Sequence, residues 1–257
     1  MYRILSTSKS GMNAYQSKID AISNNLSNST TTGYKKVDVG FQDLMTETLN
    51  RRGYRTNTEN TVMGTGTRAV SIPRNNSQGN LQITELSTDI ALDGLGYFKV
   101  NLGDGTEAYT RDGSFSIDSL GRLVDSNGNK LQVNYVGAFS ENNVRFTPDN
   151  FSVNTSGDVY MKVGESYTKV AEIPLYTAVG DSSFASIGKN LFVPTQGANV
   201  QRTTTTDMRQ GCLEMSNVDM GTEMSELIIA QRAYQMAGKG ITTADEMWQM
   251  INNMRSR

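Results

Sequence analysis

The sequence contains no histidine, and that absence excludes more chemistry than any motif in the chain suggests. Ser-His-Asp and Cys-His catalysis, and the commonest catalytic zinc sites, all need an imidazole. Cysteine is nearly absent too. Cys212 stands alone among 257 residues, so no disulfide can close within the chain, and its simplest role is that of a small buried side chain. Charge of either sign is scarce in excess, with a formal net of −2, which leaves no global field to recruit nucleic acid or an anionic membrane. Long apolar runs are missing as well. The start, MYRILSTSKSGMNAYQ, matches neither a cleaved secretory signal nor a membrane span, so no membrane insertion is expected and any export needs a route without signal cleavage.

What the chain does contain is a regular apolar repeat at each end. Leu5, Met12, Ile19 and Leu26 fall seven apart, with Ser8, Tyr15 and Ile22 between them, the three-and-four spacing of one helical seam. Near the other end Leu227, Tyr234, Ile241 and Trp248 repeat at seven, and Ala230, Ala237, Ala244 and Ile251 follow three residues behind. The two helices would be roughly 30 and 50 Å long, and each is polar on its remaining faces. Such a helix is marginal alone in water, so each seam needs a partner. The seams can satisfy each other within one monomer, pack on the middle of the chain, or meet the seams of neighbouring subunits; spacing alone favours a partner within the same chain over a neighbouring subunit.

Between the ends the period changes from helical to alternating. Short runs such as AVSIP, DIAL, YFKV, EAYT, SFSI, RLV, NFSV, DVYMKV and VAEIPLY are punctuated by Asp93-Gly94, Gly103-Asp104-Gly105, Asp112-Gly113 and Asn127-Gly128, which are hairpin and turn signals. The expected fold is therefore α+β: an all-β central domain flanked by N- and C-terminal α-helices that pair in a coiled-coil-like bundle. The expected division is a discontinuous helical assembly domain (1–34 and 213–257), a polar extension (35–67) and a β domain (68–212).

Several features imitate sites. GLGYF at 94–98 and GTGT at 64–67 resemble phosphate-cradling loops, but neither opens a helix after a strand with the full glycine spacing. Asp89, Asp93 and Asp112 suggest a glycosidase pair, yet two of them precede a turn glycine, where Asp serves local hydrogen bonding. Arg3, Lys9, Lys18, Lys35 and Lys36 make the start basic and read as a solvated or subunit-facing surface, because Tyr2, Tyr15 and Tyr34 form no stacking platform for bases. No enzyme, cofactor or metal site is expected. A β domain held between two helices that cannot be satisfied alone suits an assembly protein, in which heterologous contacts build an open helix of subunits.

The residues also carry a family resemblance. SGMNAYQSKIDAISNNLSNSTTTGYKK (10–36) closely resembles the N-terminal motif of flagellar rod and hook proteins, and SNVDMGTEMSELIIAQRAYQMAGKGITTADEM (216–247) resembles their C-terminal signature. In the middle, GTGTRAVSIPRNNSQGNLQ, DIALDGLGYFKV, DGTEAYTRDGSFSIDSLGRLV and ASIGKNLF resemble the distal-rod branch of that family, as does the stretch DLMTETLNRRGYRTNTENTVM (43–63). Members of the proximal-rod branch share both ends and match the middle less well, and hook proteins carry a larger outer domain.

The resemblance implies a structural subunit of the flagellar basal body that is exported through the flagellar type III apparatus without cleavage. It would polymerise with itself into a hollow torque-transmitting shaft and meet other rod proteins and the hook protein or its junction. The terminal helices would form the inner tube and the β domain the outer layer, with 43–63 reaching an axial neighbour. Subunit contacts are then expected at Leu5, Met12, Tyr15, Ile19, Ile22 and Leu26 on the first helix and at Leu227, Tyr234, Ile241, Ala244, Trp248 and Ile251 on the second. The polar run SNNLSNSTTTGYKK that follows the first seam adds Asn24, Asn25, Asn28, Gly33 and Tyr34, since Asn, Ser and Thr end a helix and their amides suit lateral bonding. Ala237 stands where the family usually has Asn, and Gly238 and Gly240 weaken or bend the second helix. Two rivals outside the family are a secreted carbohydrate-active or carbohydrate-binding β domain with helical tails, and a coiled-coil adaptor of fixed copy number.

Overall fold

The computed structural model of the chain describes residues 2–48, 62–71, 74–103, 105–137, 139–141, 143–164, 166–178, 180 and 183–255. Both terminal repeats form the helices expected of them: α1 spans Tyr2–Ser27 and α2 spans Met220–Arg255. The start of α2 is fixed by Asp219, whose carboxylate accepts from the Gly221 amide at 3.0 Å and the Thr222 hydroxyl at 2.7 Å, using donors that a helix otherwise leaves unpaired.

The chain divides into two compact units, one of residues 1–27, 37–73 and 219–257 and one of residues 28–36 and 74–218. In the first unit the helices run antiparallel, since Asn25 bonds to Glu223, Lys18 to Glu226, and Ser8 lies against Gly240. Ala14 and Ile22 of α1 and Ala230 and Ala244 of α2 are fully buried. Leu5, Met12, Tyr15, Ile19, Leu26, Leu227, Tyr234 and Ile241 are half-buried, and Trp248 and Ile251 are exposed. Gly238 and Gly240 do not break α2. A Cβ on Gly240 would sit 2.7 Å from the Ser8 hydroxyl, so that glycine lets the two helices approach closely.

The described residues 39–48 and 62–67 of the segment read as a polar extension belong to an antiparallel ribbon. Val39–Asp43 pairs with Thr67–Ser71 and Thr46–Thr48 with Val62–Gly64, and the Leu44 amide bonded to the Gly66 carbonyl at 2.9 Å carries one register through both. Residues 49–61, the middle of the stretch assigned to an axial contact, lie outside the described residues. A lone two-stranded ribbon is marginal in water; here it packs on α1, with the rings of Tyr15 and Phe41 5.1 Å apart. The run AVSIP therefore starts in this ribbon and not in the β domain.

The second unit is all antiparallel β structure. Nine described strands form one sheet in which Phe184–Gly188, Leu191–Pro194, Glu107–Thr110, Tyr97–Asn101, Lys130–Leu131, Leu123–Val124 and Ser116–Ile117 lie in that order, and Leu175–Ala178 pairs both Tyr97–Asn101 and Val200–Thr203. Asn134–Tyr135, Ser166–Glu172, Asp158–Val163 and Phe151–Val153 form a four-stranded sheet. Asp207–Gln210 pairs with Ile90–Asp93, and Cys212–Glu214 with Leu81–Ile83. The run VAEIPLY splits into two strands around Pro174, which has no amide to give a ladder. Ile90, Phe98, Val100, Phe115, Val159, Val170 and Ile173 centre the core, and Phe98 meets Phe115 edge-on at 87°.

One hairpin loop recurs through this unit. At 102–106, 118–122, 125–129 and 154–158 the first amide bonds to the fifth carbonyl and the fourth amide to the first carbonyl. The fourth residue is always Gly, with φ of 82°, 76°, 81° and 83° at Gly105, Gly121, Gly128 and Gly157. That left-handed position after a tight turn is where a bulged hairpin needs glycine.

Candidate assembly surface

The α2 helix carries two apolar faces, and α1 covers only one of them. The covered face holds Ala230, Tyr234, Ile241 and Ala244. At about 100° per residue, Met224, Ile228, Ile229, Met236, Met250 and Met254 fall on the opposite side, and all six are between 49% and 73% exposed. Scattered exposed apolar side chains are ordinary on a soluble protein, but here they gather on one side of one helix, four between Met224 and Met236 and two at Met250 and Met254, with Lys239, Thr243 and Glu246 between the two groups, and such clustering marks a surface built for contact.

Polar side chains fix the helices where they meet. The Asn25 amide donates to the Val37 carbonyl at 2.8 Å and to the Glu223 carboxylate at 3.1 Å, while its oxygen accepts from the Val37 amide at 3.0 Å. Asn25 and Glu223 are both buried, so this bond ties the end of α1 to the start of α2. Seven residues earlier, the Lys18 ammonium reaches Asp38 at 2.6 Å and Glu226 at 2.8 Å. Burial works against its charge, but hydrogen bonds and attraction from the two carboxylates outweigh it and hold the lysine above its ordinary pKa.

The polar run after α1 is pinned within the second unit. Thr31 donates its hydroxyl to the Asn28 side chain at 3.2 Å. Gly33 has φ of 65°, and a Cβ there would lie 2.6 Å from the Asp112 amide. Tyr34 is buried, with the Arg74 guanidinium 5.8 Å from its ring centre. Lys35, read from sequence as a surface charge, is instead buried. Its ammonium meets one oxygen of Glu214 at 2.6 Å and the Ser77 carbonyl at 2.8 Å. The second Glu214 oxygen takes the Arg111 Nε–H at 2.6 Å, and the Gly79 amide donates to the first at 2.9 Å. Arg111 also donates to the Gly94 and Gly96 carbonyls, so GLGYF serves as an arginine clamp.

Burial alone would raise the Glu214 carboxyl, but the two cations and the amide converging on it hold it below the usual carboxylate range. Lys35 is lowered, first by burial and then by the neighbouring guanidinium, against the pull of Glu214. Sequence reasoning missed Glu214, Arg111 and Glu223 altogether.

Of the expected contact residues, then, Ile22, Asn25, Gly33, Tyr34 and Ala244 are buried within the chain, and Asn24, Trp248 and Ile251 are exposed. The α1 seam, Leu227, Tyr234 and Ile241 are half-buried between the two conditions. The three aspartates that imitated a catalytic set serve the fold. Asp89 accepts the Thr84 hydroxyl at 2.6 Å, Asp93 pairs with Arg209 at 2.7 Å, and Asp112 accepts the Thr32 hydroxyl at 2.8 Å. Among the described residues no group of His, Cys, Asp and Glu is placed to hold a metal ion, and no helix is long and apolar enough to cross a membrane.

Comparison with known proteins finds three family models in chain order. Residues 5–35 match the model described as flagella basal body rod protein, residues 91–161 the D1 domain of flagellar hook proteins FlgE/F/G, and residues 209–254 the C-terminal region of flagellar basal body rod FlgEFG proteins. The chain is 39% identical over 269 residues to the flagellar basal-body rod protein FlgG of Borreliella burgdorferi, with 99% of each chain covered. It is 33% identical over 267 residues to FlgG of Bacillus subtilis, covering 99% of this chain and 100% of that one. The flagellar hook-basal body complex protein FlhP of B. subtilis is 31% identical over 279 residues, with 99% of this chain and 100% of that one covered.

Proposed function

The chain belongs to the flagellar basal-body rod and hook protein family, and from that premise we propose that its uncovered α2 face is the surface through which it polymerises into the rod. It is a structural subunit of the basal-body distal rod, part of the bacterial flagellum, and the relatives that match it over nearly its whole length are named flagellar basal-body rod proteins. As in its family, it assembles with copies of itself and meets other basal-body components. The observation that favours the outer face of α2 is the stripe of six exposed apolar side chains opposite the seam that α1 already fills.

The mechanism is mechanical. Identical helices packed face to face around an open channel resist bending and twisting because each subunit is held by several neighbours, so torque applied at one end appears at the other. Asn24 at the end of α1 and Trp248 and Ile251 near the end of α2 extend the contact to neighbouring copies. The stretch 43–63 reaches an axial neighbour and stiffens the shaft. The chain travels to its site through the flagellar type III export apparatus. A helix pair whose seam buries few large side chains and is otherwise half-buried opens at modest cost, which suits passage through a narrow conduit.

The relatives are structural proteins, consistent with a role that is not enzymatic. They do not favour the carbohydrate-active, hook-type or proximal-rod readings. The assignment is tested in cells whose only copy of this chain carries Ile228→Asp with Met236→Asp. Such cells should build no distal rod and be non-motile, while Ile83→Asp, a change at an exposed residue of the β unit, should leave both rod and motility intact. Rods of normal length with the double substitution would remove the α2 face from the mechanism.

A further inference from the structure

Four of the six side chains on the uncovered face of α2 are methionines. Met224, Met236, Met250 and Met254 are 49%, 72%, 59% and 73% exposed, whereas Met208 in the β core is 2% exposed. Methionine suits a docking surface because its thioether is soft and its three rotatable bonds adapt to an irregular partner. The same sulfur is chemically vulnerable, and exposure decides which methionines react first.

We infer that these four methionines form an oxidation-sensitive modification site that decides whether the free subunit can assemble. This rests on the assembly reading given above. A peroxide supplies the oxidant. Its O–O bond breaks, one oxygen passes to the thioether sulfur to form the sulfoxide, and the other leaves as water; sulfur loses two electrons and the peroxide gains them. Each sulfoxide places a strongly polar S–O group on a face that docking must desolvate, and a polar group buried without a partner is costly. Four of them along one helix interrupt the stripe at its start, middle and end, so the oxidised subunit stays soluble and folded but does not add to the polymer.

The test uses the full chain as purified subunit, treated with hydrogen peroxide, mapped by peptide mass spectrometry and then followed by sedimentation across a concentration series. The four named methionines should gain oxygen before Met208. The concentration needed for polymer growth should rise about tenfold or more, the factor equivalent to 1.4 kcal/mol. The variant with all four changed to Leu, a change that conserves volume, should polymerise with or without peroxide, and methionine sulfoxide reductase should restore the wild-type chain. After partial oxidation, the residual subunit fraction should be enriched in these four sulfoxides relative to the polymer, a readout that needs no variant.

Oxidised wild-type chain that polymerises as before would overturn the inference. So would a four-leucine variant that peroxide still blocks, because that places the lesion elsewhere, as at Met45, which is 84% exposed. An untreated wild-type chain that never polymerises would bring down the assembly reading itself, and this inference with it.

Discussion

Glu214 shows how much of this molecule depends on single side chains that no local pattern announces. Lys35 lies 179 residues away and Arg111 lies 103 residues away, yet both cations end on one carboxylate out of contact with water. Nothing in GYKK or in CLEM marks them as partners, and the bulk charge of the N-terminal stretch pointed the other way. Replacing Glu214 by Gln leaves two buried cations without a counter-charge, a change that costs about 3–5 kcal/mol in comparable pairs; urea unfolding should show the midpoint fall accordingly.

The pH dependence follows from the same contacts. Because the folded carboxyl is held below its ordinary value of 4.5, its contribution to stability is fully present above that value and is lost as the pH falls through the folded one. The acid limb of a stability profile should therefore be shallower in Glu214→Gln than in the parent chain. Gly33 is the other single residue with a definite cost. Its positive φ and the Asp112 amide 2.6 Å from any Cβ predict that Gly33→Ala loses about 1–3 kcal/mol, to be read as a lower melting temperature of the isolated subunit. A melting temperature equal to that of the parent would contradict this placement.

At the scale of elements, what was legible followed from period. Heptad spacing located both helices, and Gly103-Asp104-Gly105 and Asn127-Gly128 located two hairpins, because each signal is local; Asp93-Gly94 and Asp112-Gly113 instead turn the chain between strands that do not pair with each other. The loops at 118–122 and 154–158 carry the same hairpin as those at 102–106 and 125–129 but lack an Asp-Gly or Asn-Gly pair to announce it. Of the ribbon's two longer strands, Val39–Asp43 was read as polar extension and Thr67–Ser71 was given almost wholly to the β domain, because the strands are short and mixed in polarity and their partner is α1 rather than the β core. The α1 seam ran along Leu5, Met12, Ile19 and Leu26 with Ser8, Tyr15 and Ile22 between them, and of these Ile22 alone is fully buried, joined by Ala14 from outside the seam, since α1 touches the ribbon as well as α2.

The two glycines of α2 separate propensity from packing. Open space surrounds the position that a methyl group would take on Gly238, but not on Gly240. Gly238→Ala should therefore raise stability by about 1 kcal/mol, the usual gain over glycine in a helix, while Gly240→Ala should gain less because Ser8 must move. Thermal unfolding of the two variants side by side checks the order, and an equal gain at both would contradict the close approach of the helices.

For the whole molecule, one asymmetry underlies the proposed assembly: α2 offers apolar surface on two sides, and the chain covers one. Composition removes most catalytic chemistry, and the motifs at both ends carry the resemblance to the rod family. The division of labour within those motifs was not legible, because a seam that closes inside the chain and a stripe that remains open look alike when only spacing is known. Asn25, Gly33 and Tyr34 illustrate the first case, buried by contacts within the chain, and Ile228, Ile229 and Met236 the second. Sedimentation velocity over a concentration series is the most direct measurement of the claim that this open stripe drives polymerisation. The wild-type chain should grow into long, heterogeneous polymers as concentration rises, and the chain carrying Ile228→Asp with Met236→Asp should remain a folded monomer over the same range. Polymers from the double variant, or a closed oligomer of fixed size from the wild type, would contradict it.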